Sequence, residues 1–125
     1  MKANVKTVGS LVLGSVLSIS GAAAANQLKK ISGPQIRARF SGMEMTDEVH
    51  WRDAYGRDGS FNSRSMGRTR LGKWQVEEDE LCIDVGPGTD SGCYEVWMSG
   101  NAVELKPTGL GLLVQGALQK PNKTD

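Results

Sequence analysis

Three stretches, Lys73-Trp74-Gln75-Val76, Leu81-Cys82-Ile83-Asp84 and Cys93-Tyr94-Glu95-Val96-Trp97-Met98, decide how this chain folds. Each is short, and apolar residues alternate with polar ones, the period of a strand with one buried face. If Cys82 faces Cys93 in an antiparallel pair, Leu81 opposes Tyr94. If Val76 opposes Leu81 across the acidic turn Glu77 to Glu80, then Trp74 opposes Ile83, Gln75 opposes Cys82 and Lys73 opposes Asp84. One face collects Trp74, Val76, Leu81, Ile83, Tyr94, Val96 and Met98. The other collects Lys73, Gln75, Glu80, Cys82, Asp84, Cys93 and Glu95, the separation a half-buried sheet requires. One pair conflicts with this register: Glu80 falls opposite Glu95, and facing like charges cost stability. The strands must splay there, a cation must sit between them, or the register must shift by one residue. Trp97 falls on the polar face, which implies some cover over that face.

Outward from this segment, turn signals recur at Gly56-Arg57-Asp58-Gly59, Met66-Gly67, Gly86-Pro87-Gly88, Gly100-Asn101 and Gly109 to Gly111. Between them, 49–55, 60–65, 73–76, 81–85, 93–98, 102–105 and 112–118 read as strands. The linkers leave no room for crossover helices, so the strands form an antiparallel meander. Upstream, Ser32-Gly33-Pro34-Gln35 has capping-box spacing with a proline in the first turn. Ile36 and Phe40 stand four residues apart on one helical face, and Gly42 terminates the helix. The expected fold is all-β, a small antiparallel meander barrel or sandwich of about seven to eight strands, with one short N-terminal helix plugging an end or edge. The single domain spans 32–119, after a mobile leader at 26–31 and before a polar tail at 120–125.

The first 25 residues have the composition of a cleaved signal peptide. Lys2 and Lys6 form the charged start, Val8 to Ile19 the apolar segment, and Ala22 to Ala25 the small residues of a cleavage site. An apolar segment of this length is too short for a membrane span, which needs about 20 residues. The predicted mature chain has 100 residues and a net charge of −1. That balance argues against nucleic acid as a partner. A periplasmic or secreted location favours thiol oxidation, so Cys82 and Cys93, the only two cysteines, are expected to pair. The rival readings are a free thiol pair and a metal site completed by His50. The spacing and the missing second histidine do not suit zinc. A bridge closing this ring is worth about 3 kcal/mol.

No G-x-S-x-G or other turn that frames a catalytic nucleophile is present. His50, the only histidine, precedes Trp51 on a strand where Val49, Trp51 and Tyr55 share the other face. Glu77-Glu78-Asp79-Glu80 reads as a solvated turn. Asp84, Asp90 and the 86–92 loop offer too few acids for a calcium site. Neither cofactor nor metal is expected. Charge is unevenly distributed: from Arg52 to Lys73 the net is +4, and from Glu77 to Glu95 it is −7. The plain reading is cross-strand pairing between the blocks, as Lys73 with Asp84. The sharper one is an anion site in which the guanidinium forks of Arg64, Arg68 and Arg70 converge around the Gly67 turn. Trp74 and Tyr94 are candidate ligand-contacting aromatics.

The stretches Ile36-Arg37-Ala38-Arg39-Phe40-Ser41-Gly42, Gly72-Lys73-Trp74-Gln75-Val76 with Leu81-Cys82, and Gly92-Cys93-Tyr94-Glu95-Val96-Trp97 together resemble small secreted β-domains, mainly of alphaproteobacteria. Those domains carry G-x-W, L-C and C-Y-x-V elements in this order. The resemblance covers about 80 residues and implies compartment and fold, with no assigned chemistry. The G-x-W strand is also similar to that of lipocalin-like barrels, an analogy of shape alone. The expected function is a small exported binding or interaction module whose partner is a protein, an envelope glycan or a small anionic ligand. The alternatives are an envelope-directed hydrolase using His50 with a carboxylate, and a purely structural secreted domain.

Overall fold

The computed structural model describes residues 27–88 and 90–122, with Gly9 and Gly14 as isolated positions. The expected signal peptide, those two glycines aside, lies outside the described residues. The elements are β1 (Lys29–Lys30), α1 (Gly33–Phe40), β2 (Met43–Thr46), β3 (Trp51–Tyr55), β4 (Ser60–Ser65), β5 (Arg68–Glu77), β6 (Glu80–Asp84), β7 (Gly92–Ser99), β8 (Ala102–Pro107) and β9 (Val114–Gln119). Strands β2 to β9 pair antiparallel in chain order, and β9 pairs back with β2. The result is a closed eight-stranded meander barrel with one short helix. Closure removes the open edges that a sandwich of this size would expose.

The register matches that read from the alternation: Cys82 pairs Cys93, Leu81 pairs Tyr94, and Trp74 pairs Ile83. Cys82 and Cys93 form a disulfide. Glu80 does lie opposite Glu95. The conflict is relieved by cations, since Lys30 Nζ is 3.8 Å from Glu95 and Lys106 is its cross-strand partner on β8. Trp97 on the same outer face donates from Nε1 to Glu95 at 3.2 Å, and Lys106 Nζ covers its ring at 4.0 Å.

Three features differ from the sequence expectation. Met43–Thr46 forms a strand, held by pairing to β3 on one side and β9 on the other. Strand β5 starts at Arg68 rather than Lys73, because the two-residue turn at Met66-Gly67 continues the β4 pairing directly through Ser65 and Arg68. Both turn residues have positive φ, 50° and 79°, as hairpin turns that follow strand twist require. Within the leader, Lys29 and Lys30 pair with Met98 and Trp97.

One end of the barrel is closed by α1. Ser32 N–H donates to Gln35 Oε1 at 2.8 Å, and Gly33 N–H donates to Asp79 Oδ1 at 2.7 Å. The acidic β5–β6 turn therefore caps the positive end of the helix. Gly33 rests directly on the Glu78 carbonyl, where a Cβ would collide. At the other end of α1, Arg39 Nη2 donates to the Gly100 carbonyl at 2.8 Å. Ile36 and Phe40 are fully buried beneath the barrel. Phe40 meets Tyr55 edge-on at 5.0 Å, and Tyr55 meets Trp74 edge-on at 5.6 Å. Trp74 Nε1 donates to the Gly56 carbonyl at 2.8 Å. Among the described residues no helix is long and apolar enough to cross a membrane.

Candidate functional site

The end opposite α1 is formed by the β2–β3, β4–β5, β6–β7 and β8–β9 connections, and the barrel interior opens there. A cavity of about 570 Å³ occupies this half of the lumen. Its floor is Phe61, with Tyr55 buried below. The two sides of the cavity differ chemically. Strands β6 to β9 supply Ile83, Tyr94, Leu105 and Val114. Strands β3 to β5 supply two polar rungs, Asp53–Ser63–Arg70 and, nearer the mouth, Trp51–Ser65–Arg68, set by cross-strand register. Alternation places each of these side chains inward, because each falls two residues from the next on its strand.

Electrostatics mark the inner rung. Burial pushes the Asp53 carboxyl up to about 6, and the charge of Asp90 pushes the same way against a hydrogen bond from Ser63. Burial, with Asp90 and Asp53 adding to it, also raises Tyr94. Tyr55 is driven well above the ordinary range by complete burial, and then by Asp53 and Tyr94. The Tyr55 hydroxyl has no hydrogen-bond partner among the described residues. At the rim Arg70 Nη1 forms an ion pair with Asp90 Oδ2. Arg68 has no carboxylate partner among the described residues.

The structure brings Arg68, Arg70 and Tyr94 to this one cavity. It does not bring Arg64 into the lumen. Arg64 lies between Arg52 and Thr69 on the outer face, because a two-residue turn keeps Ser65 and Arg68 on one side and turns their neighbours to the other. Arg64 meets Arg68 instead in a separate depression of about 420 Å³ at the Gly67 turn, with Arg52 and His50 also on its lining. Trp74 is also separated from the site: it is 8% exposed and packs at the helix end. The disulfide lies on the outer face, beside a depression of about 870 Å³ whose outward residues Lys73, Gln75, Glu77 and Asp84 are solvated. Glu77 approaches both sulfurs there, but sulfurs already joined to each other offer no thiolate to a metal. Asp84 Oδ1 accepts from Gly86 N–H at 2.9 Å while Asp90 pairs with Arg70, so the two acids considered for calcium have separate tasks.

His50 does meet a carboxylate: its Nδ1 lies 2.7 Å from Asp47 Oδ2. The imidazole is 65% exposed on the β2–β3 loop. What little burial Asp47 has works upward and is outweighed by hydrogen bonds from the His50, Trp51 and Val49 N–H groups and the His50 side chain, which hold the carboxyl well below its usual range. Asp47 is therefore a loop-ordering acid. The residues missed in sequence are Asp53, Ser63 and Ser65. Asp53 did carry a signal, as an acid between Trp51 and Tyr55 at the same strand parity. No protein-family model, curated protein or solved structure matches the chain.

Proposed function

We propose that this protein is a small exported binding module that holds an amphipathic small molecule in the barrel lumen. The observation that carries this reading is the 570 Å³ cavity inside a closed barrel, apolar on one wall and cationic at its rim. Ligand sites typically measure about 300–1,000 Å³ and combine apolar lining with a few placed polar groups. The apolar body of the ligand rests on Ile83, Tyr94, Leu105 and Val114. Its anionic or acceptor group lies at Arg68, with Arg70 exchanging part of its Asp90 pairing for the ligand. The apolar start of the chain and the disulfide support an exported location, where envelope-derived amphiphiles are the accessible ligands. A structural domain with no ligand would have filled this volume with side chains. The hydrolase alternative has the His50–Asp47 pair in its favour, but that pair is solvated and Asp47 is occupied by backbone.

The test is a titration of the mature protein with 1-anilinonaphthalene-8-sulfonate, followed by displacement with octanoate and octyl phosphate. Saturable fluorescence enhancement reversed by both amphiphiles is expected, and Val114→Trp, which fills the mouth, should abolish it. Equal enhancement in Val114→Trp and the parent would place the dye elsewhere and overturn the lumen as the site.

A further inference from the structure

We infer that the lumen holds a second, inner subsite in which Asp53, with the Tyr55 hydroxyl below it, receives a hydrogen-bond donor of the ligand, an ammonium or hydroxyl group. The ligand is then bipolar, with its donor inward and its anionic group at the arginine rim. The inference rests on the lumen being the binding site.

Asp53 is partly buried, lines the cavity, and takes a side-chain hydrogen bond from Ser63. An ionised carboxylate has about four acceptor positions, and a neutral hydroxyl does not offset a buried charge. The cation on the same rung, Arg70, is drawn to the rim by Asp90, whose own charge adds to the burden on Asp53. Two residues along the same inward face, the Tyr55 hydroxyl is buried without a partner. Asp53 and the unpartnered Tyr55 hydroxyl therefore lie on one inward face, near enough for the Asp53 charge to act on Tyr55, and the facing wall supplies Ile83, Leu105, Val114 and Tyr94, with Asp90 held at the rim by Arg70. Buried polar groups are normally paired, and exceptions cluster where a ligand completes the pairing. An isosteric amide or a small apolar residue at 53 would serve packing alone at lower cost. An ammonium group fits the vacancy best, because it brings three donors and a compensating charge.

Isothermal titration with octanoate and 8-aminooctanoate tests the subsite. The two share chain length and carboxylate, and differ by a terminal amine that an ordinary apolar floor would reject. The parent should bind 8-aminooctanoate about tenfold or more tighter than octanoate, as expected for a charge-assisted hydrogen bond. Asp53→Asn and Asp53→Ser should reverse that preference, and Arg68→Gln with Arg70→Gln should weaken both ligands while keeping their ratio. Melting curves of both position-53 variants establish that they are folded, and either variant suffices. If octanoate binds the parent and the ratio is the same in the position-53 variants, the inner subsite is wrong and the lumen reading stands. If neither acid binds the parent, both fall.

Discussion

The two ends of this barrel are built from the same eight strands but differ in how they treat polar groups. At the helix end every device is paired: Asp79 caps α1, Arg39 meets the Gly100 carbonyl, Trp74 donates to Gly56, and Phe40, Tyr55 and Trp74 pack edge to face. At the open end Asp53 is partly buried with a hydroxyl for company, the Tyr55 hydroxyl is buried without a partner, and Val49, Met66, Leu110 and Leu112 stand exposed on the surrounding loops. The difference is one of purpose. Paired groups and close packing hold the fold, and unpaired groups around an unfilled volume are what a ligand can complete.

Substitutions at the two ends should therefore differ in sign as well as size. The largest loss is expected at the closed end: Trp74→Ala removes the ring against Tyr55 and the Gly56 hydrogen bond, and should cost about 3–5 kcal/mol by urea unfolding. A loss under about 1 kcal/mol would mean that the closed end does not hold the fold. Cys82→Ala, which opens the ring between β6 and β7, should cost about 2–4 kcal/mol, measured against parent protein whose disulfide is intact. Two titratable thiols in native parent would contradict the bridge.

Asp53→Asn is expected to act in the opposite direction. The folded value near 6 lies above the 3.8 of a free aspartate, so the native state binds this proton more tightly than the unfolded chain. The contribution of Asp53 to stability is thus greatest below about pH 4, falls as pH rises through about 6, and is flat above that. At pH 7 the ionised carboxylate costs about 3 kcal/mol, and Asp53→Asn should recover much of it. A parent-minus-variant stability difference that does not change between pH 4 and pH 7 would refute a buried, uncompensated acid. The smallest effect belongs to the rim: Arg68→Gln with Arg70→Gln should shift stability by less than about 1 kcal/mol. The same change should weaken binding of octyl phosphate and flatten its salt dependence. Unchanged binding in low and high salt would remove the arginines from the site.

Much of the framework was determined by the sequence alone. Strict alternation in Trp74–Val76, Leu81–Ile83 and Tyr94–Met98 leaves a single register that buries one face, since a slip of one residue would turn every apolar side chain to water. Ser32, Pro34 and Gln35 mark the helix start because capping is a local interaction among neighbours. Strand β2 was not read from the sequence: Met-Glu-Met-Thr alternates, but over only four residues directly after the helix-ending Gly42, and its partner Gln119 lies at the far end of the domain. Arg64 and Arg68 flank one turn and share a depression there, but strand alternation admits only Arg68 to the lumen, a distinction that charge counting ignores. The alternation that grouped Val49, Trp51 and Tyr55 extends to Asp53, which the closed barrel turns inward. Whether that face would be packed or left open depended on the volumes of Ile83, Tyr94, Leu105 and Val114, brought opposite only when β9 closes on β2. Side-chain direction is a local property of the backbone and can be read from sequence. An unfilled volume is a property shared by walls remote along the chain, and only the closed barrel decides it.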